Sequence, residues 1–188
     1  MNDTMTTIHE LATITPVDEV RVLAPMDVVR LRMAYAQAER SGDLSTRNGA
    51  ILVDPEGDLI GQGWNGIVPG VKVTPERLKE RPLKYQVINH AEDAAIFDAA
   101  RNGRCTEEAT LYCPWYACDR CAAAIIRAGV SKVVGHYDIF SADGETVRNE
   151  RWDLSLPFQM LTEAGVVIEL IRGHLGVEAL MDGEIILV

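Results

Sequence analysis

The stretch ATLYCPWYACDRCAAAIIRAGVSKVVGHYDI, residues 109–139, reads as an apolar strand, a helix and a second apolar strand in unbroken succession. The helix opens on the pair Cys118 and Cys121 and stops at Gly129, a residue suited to the left-handed turn that closes helices. A strand, a crossover helix and a further strand form the unit of a parallel sheet. Upstream, HAEDAAIFDAAR at 90–101 is rich in helix formers, with Asn89 as a candidate N-cap and Asn102-Gly103 as a stop. Before it, AILVD and LIGQGWN are separated by the turn-rich PEGD, which predicts a β-hairpin over residues 50–65. Earlier still, Val28, Leu31, Tyr35 and Ala38 recur at helical spacing, and Gly42 can end that helix. Downstream, a helix over about 153–164 and a strand over 166–171 complete the alternation. Such an order predicts an α/β fold with helices on both faces of one sheet, mixed in direction because its first two strands form a hairpin.

Composition bounds the rest. The chain has 188 residues, 47% apolar and 24% charged, which suits one globular core. Residues 1–25 lack sustained periodicity and read as an N-terminal arm, 26–172 as the main domain, and 173–188 as a C-terminal hairpin extension around Met-Asp-Gly-Glu. The sequence contains no apolar run of the ~18–20 residues a membrane span needs, and its start is polar and acidic, so a cytoplasmic protein is expected. A formal net charge of -10 disfavours long nucleic acid as a partner. Against that background the segment KVTPERLKERPLK, residues 72–84, is locally basic, with five basic and two acidic residues.

His90, Cys118 and Cys121 point to zinc. Imidazole nitrogen and thiolate sulfur suit this borderline-soft ion, and residues three apart on a helix share a face. A helix amino terminus also favours thiolate over thiol. Three protein ligands leave a position for water, as catalytic zinc requires, whereas structural zinc takes four. Cys105 and Cys113 are read as apolar filler, buried or half-buried. Glu92, two residues past His90, would point about 200° away from it in a regular helix. At an irregular first turn it can instead serve as a proton shuttle beside the metal site.

The motifs HAE at 90–92 and CDRC at 118–121, with NGAILVDPEGDLIGQGWNG and CAAAIIRAGVSKVV in matching order, resemble the zinc-dependent cytidine and deoxycytidylate deaminase superfamily. The similarity covers about two thirds of the chain and is greatest to dCMP deaminases. It implies a three-layer α/β/α sandwich with a mixed five-stranded sheet. It also implies that His90, Cys118 and Cys121 hold Zn²⁺, that Glu92 moves protons, that Asn65 contacts the substrate sugar or base, and that Ala91 offers a backbone contact to the pyrimidine. Three positions depart from the family pattern: Ala117 replaces a Pro, Ala94 an Asn, and Asn48 the Val that usually precedes the first strand.

The implied reaction is hydrolytic deamination of dCMP to dUMP with release of ammonia, a step that supplies thymidylate synthesis. An acidic chain with one basic stretch suits a small phosphorylated ligand better than a polymer. Arg47, Lys72, Arg77, Lys79, Arg81 and Lys84 are the phosphate candidates, and Trp115 is the favoured aromatic wall, ahead of Trp64 and Tyr116. Two alternatives stand beside this reading: a deaminase of another amino-heterocycle (nucleoside, free base or modified nucleotide), and a zinc-stabilised binding domain without turnover. The resemblance and the apolar residues of both ends lead to an expected homo-oligomer.

Overall fold

All five residues of the apolar run Gly49–Val53 are buried, which requires cover on both faces of the sheet they enter. The computed structural model of the chain describes residues 12–16, 26–139 and 154–188, so most of the expected arm lies outside the described residues. In chain order these residues form β1 (Thr13–Pro16), α1 (Met26–Ala38), β2 (Gly49–Val53), β3 (Leu59–Trp64), the short β4 (Gly66–Ile67), α2 (Pro75–Lys79), α3 (Arg81–Val87), β5 (Ile88–Asn89) and α4 (Ala91–Arg101). There follow β6 (Thr110–Tyr112), α5 (Asp119–Arg127), β7 (Lys132–His136), a 3-10 turn (Tyr137–Ile139), α6 (Ser155–Glu163), β8 (Val167–Arg172), β9 (Glu178–Met181) and β10 (Glu184–Leu187).

The main sheet runs β1-β8-β7-β6-β2-β3. β6, β7, β8 and β1 are parallel neighbours, whereas β2 is antiparallel to both β3 and β6, so the sheet is mixed as expected. It has six strands rather than five. The sixth is β1, supplied by the stretch read as an arm: it adds to the edge of β8, with Ile14 packed on the core and the Thr15 hydroxyl donating to Glu169 Oε1 at 3.0 Å. Four residues, TITP, are too few to show a period of two.

Helix α1 packs against β2, and α4 packs against β2 and β3, with α5 and α6 ranged beside it. Glycines on the hairpin reveal the two faces. A Cβ on Gly49 would meet the Ala34 carbonyl of α1 at 2.1 Å, while a Cβ on Gly63 would meet Ala95 N of α4 at 2.5 Å. Ala91, Ala95 and Ala99, fully buried and four residues apart, form the stripe that α4 turns to the sheet. Small residues on both partners thus let this helix sit unusually close to the strands. A further tie joins α1 to the far end of β7. The Gly173 carbonyl accepts from His136 Nε2 at 2.9 Å, and Nδ1 of the same ring is hydrogen-bonded to the Tyr35 hydroxyl at 2.6 Å.

At the carboxyl end, β9 and β10 pair antiparallel as a separate two-stranded sheet, with Met181 opposite Glu184. No helix of the described residues is long and apolar enough to cross a membrane. The close seat of α4 can be tested by filling it. Gly63→Ala is expected to lower stability by about 2–3 kcal/mol, because the added methyl group meets backbone atoms that cannot move aside. Urea unfolding measures this, and a variant as stable as the parent would contradict the packing described.

Candidate active site

Two helices begin at the same place. His90 is the N-cap of α4 and Cys118 the N-cap of α5, each with extended backbone, and Cys121 lies in the first turn of α5. His90 Nδ1 stands 3.5 Å from Cys118 Sγ and 3.4 Å from Cys121 Sγ, and the three donor atoms all lie within 4.8 Å of one another. A tetrahedral zinc ion with ordinary Zn–S and Zn–N bonds separates such donors by about 3.6 Å, so the donor set fits the ion. Both helix amino termini add partial positive charge where the sulfurs must be anionic.

Proton sharing in the metal-free cluster follows from this crowding. The hydrogen bond from Cys121, aided by His90, lowers the Cys118 thiol to about 4, while the same shared bond and burial push the Cys121 thiol up. His90 is raised to about 9, chiefly by its bond to Cys118. Zinc needs the sulfurs as thiolates and the imidazole neutral, so its binding would release protons from the cluster.

Glu92 is only 2% exposed, and its Oε2 has no hydrogen-bond partner among the described residues. Burial raises its carboxyl to about 7. A buried polar atom left alone marks a place for a ligand or water. The angular objection to Glu92 does not apply here, because His90 is outside the helical backbone and the regular 100° step starts only after it. Both residues line one cavity.

That cavity, about 370 Å³, lies within the size range of small-ligand sites. Its wall near the metal cluster includes Ala91, Glu92 and Trp115, and the wall formed by α2 and α3 contributes Lys79, Arg81 and Lys84. Asn65 also lines it, with both ends of its amide engaged: Oδ1 accepts from Asn48 N and Nδ2 donates to the Thr46 carbonyl, each at 2.8 Å. Asn48 in turn donates from Nδ2 to Cys113 Sγ at 3.2 Å, beneath the site. Arg47 is not among the lining residues, and its Nε donates to the Asp43 carbonyl at 3.2 Å. Lys72 and Arg77 are also elsewhere, Arg77 donating to the Lys72 carbonyl at 2.6 Å. Trp64 lies under the Arg40 guanidinium, 3.8 Å from its ring centre. Of the remaining cysteines, Cys113 is buried as expected, but Cys105 is exposed.

Among the lining residues with no part in the sequence-based expectations are two acidic ones, Asp43 and Asp182. Asp43 Oδ1 accepts from Ser45 N at 2.8 Å and Thr46 N at 3.2 Å, and meets Lys84 Nζ at 2.8 Å. The segment SGDLST carries the composition of such an Asx turn, so its fold was within reach. Its place beside Lys84, 41 residues on, had no local signal.

Residues 26–137 match the family model of the cytidine and deoxycytidylate deaminase zinc-binding region. The chain is similar to the deoxycytidylate deaminase of Mus musculus, 32% identical over 121 residues, which cover 62% of this chain and 67% of that one. With the Homo sapiens deoxycytidylate deaminase the identity is 33% over 109 residues, 55% of this chain and 60% of the human one, so the match spans less than two thirds of that relative's length. An uncharacterised deaminase of Aliivibrio fischeri is 31% identical over 140 residues, 73% of this chain and 87% of that one. In shape the chain is similar to the dCMP deaminase of the cyanophage S-TIM5, solved in complex with dCMP and dUMP, at TM-score 0.61 and 22% identity, covering 80% of this chain and 99% of that one.

The cluster generates two expectations. Cys121→Ala is expected to reduce bound zinc, measured by metal analysis after gel filtration, to a small fraction of the parent's content. The second concerns Glu92 in the metal-free protein. Its carboxyl is raised from 4.5 to about 7, so its contribution to stability is full below 4.5 and is lost as pH rises through 7. Glu92→Gln does not titrate. Urea unfolding is therefore expected to find parent and variant similar near pH ~4, and the variant more stable near pH ~8 by on the order of 3 kcal/mol. A gap that ignores pH would contradict the assignment.

Proposed function

The chain belongs to the cytidine and deoxycytidylate deaminase family, and we propose that within it the protein hydrolyses dCMP to dUMP and ammonia. The observation that carries this reading is the pairing of a three-donor zinc cluster with the unpartnered Glu92 Oε2 in one cavity. His90, Cys118 and Cys121 would hold zinc, which would supply hydroxide at neutral pH by lowering the pKa of water from 15.7 to about 7.

The other tasks belong to the chain's own side chains. A carboxyl held near neutrality by burial both takes and gives a proton under physiological conditions, which suits Glu92 to protonate the ring nitrogen next to the reacting carbon. As the C–N bond gives way to the C–O bond, the carboxylate left by the first transfer takes the proton of the added hydroxyl and passes it to the departing amine, which leaves as ammonia while that oxygen becomes the product carbonyl. Its site is buried, so these transfers occur away from bulk water. Ala91, fully buried at the start of α4, presents backbone to the ring, and Trp115 offers it a flat wall. Lys79 and Arg81 are exposed cations on the cavity wall, suited to a phosphate dianion. Lys84 is held by Asp43 and contributes a neutralised pair.

A zinc-stabilised domain without turnover would have a fourth protein ligand, or three with the last position blocked. Among the described residues the cluster has three, and Cys113 Sγ is instead bonded by Asn48.

Ammonia release across dCMP, CMP, deoxycytidine and cytosine tests the proposal, with dCMP expected to be the best substrate. A free nucleoside or base turned over faster would overturn the nucleotide reading. Glu92→Gln is expected to retain zinc and lose at least ~10²-fold in kcat. Arg81→Ala is expected to raise KM for dCMP by roughly tenfold while leaving deoxycytidine kinetics unchanged.

A further inference from the structure

Three hydrogen bonds fasten the C-terminal hairpin to the rim of the cavity. Arg47 N donates to the Leu180 carbonyl at 2.9 Å, Gly183 N to the Ser45 carbonyl at 2.7 Å, and Asp182 N to Thr46 Oγ1 at 3.2 Å. The loop that receives them is itself held by Asp43, which also binds Lys84 of α3. Hairpin, loop and helix therefore make one connected rim. The hairpin turn consists of Asp182 and Gly183, with φ of 50° and 88°. Both residues at positive φ, in the order Asp-Gly, match the tight two-residue turn that suits the strand twist of a hairpin. A turn so constrained limits where the Asp182 carboxylate can go. Asp182 lines the cavity, and its carboxylate has no hydrogen-bond or ion-pair partner among the described residues. The hairpin lies outside residues 26–137, so this part of the wall is an addition to the matched family region.

We propose that Asp182 is a specificity-determining residue that accepts a hydrogen bond from a sugar hydroxyl of the substrate. The inference rests on the nucleotide-deaminase reading and extends it to the pentose. An ionised carboxylate only accepts hydrogen bonds, so it requires a donor on the ligand. Phosphate oxygens are anionic and would be repelled by it. The amino-heterocycle is committed to the end of the cavity that holds His90 and Glu92, and the phosphate to Lys79 and Arg81. Between a ring and a phosphate the donors that remain are the hydroxyls of the pentose.

Two variants keep the turn and change the carboxylate. Asp182→Asn removes the charge, and Asp182→Gly removes the side chain, while Asn-Gly and Gly-Gly both sustain the same turn. Calorimetric titration with dUMP and with its 3′-deoxy analogue, on the zinc-loaded protein, gives binding without turnover. Loss of one charge-assisted hydrogen bond is expected to weaken dUMP binding to the Gly variant by roughly tenfold, with the Asn variant between, and to leave the 3′-deoxy analogue unchanged. The same selectivity is expected in kcat/KM for dCMP against 3′-deoxy-dCMP. Equal losses for both ligands would mean that the hairpin only braces the loop, and unchanged affinity for dUMP would mean that Asp182 touches nothing; either result overturns the inference and leaves the deaminase reading intact. A parent protein that neither binds dUMP nor deaminates dCMP overturns both.

Discussion

The site depends on how closely α4 is seated on the hairpin β2–β3. Gly61 and Gly63 face it from the sheet, and Ala91, Ala95 and Ala99 face the sheet from the helix, so backbone approaches backbone without intervening side chains. This contact sets where α4 begins and therefore where His90 and Glu92 stand. The crossover from β6 through α5 to β7 fixes the second helix start, with Cys118 and Cys121. The metal cluster is the meeting of two helix ends whose positions are each determined by packing elsewhere. A larger residue at Gly63 would act on the chemistry from beneath the sheet-facing side of α4.

Electrostatic economy explains the remaining features of the cavity. Glu92 is buried where its ionised form is disfavoured, beside the donor atoms of the zinc cluster and on the same cavity wall. Around the cavity, charges are arranged in small balanced sets within a chain of net charge -10. Lys84 is neutralised by Asp43, which also organises the loop at 43–46, so this cation is part of the frame. Lys79 and Arg81 are the exposed cations of the wall. The wall thus carries two exposed cations and, at 182, a carboxylate without a partner among the described residues.

Much of the fold was legible because its elements are periodic. The helix ending at Gly129 and the strand pairs around PEGD appear where their residue patterns place them. β1 escaped notice because four residues show no repeat and its only reason to be a strand is the open edge of β8. Among the candidate phosphate residues, Lys79, Arg81 and Lys84 line the cavity, whereas Arg47, Lys72 and Arg77 turn to backbone carbonyls or solvent. Nothing in a run of alternating charges separates these two groups, since direction around a short helix and the path of a loop decide which side chain reaches inward.

By itself the sequence determined the donor set of the zinc site. A histidine, a glutamate and two cysteines at helix starts carry their chemistry in residue type and in spacings of two and three, which are local quantities. Only the tertiary structure decided what surrounds them. Lys84 meets Asp43 across 41 residues, and Asp182 meets Thr46 across 136, so their shared wall exists only once the layers have packed. Distance along the chain carries no information about such contacts, because they follow from the shape of the core and the hydrogen bonds that loops complete upon it.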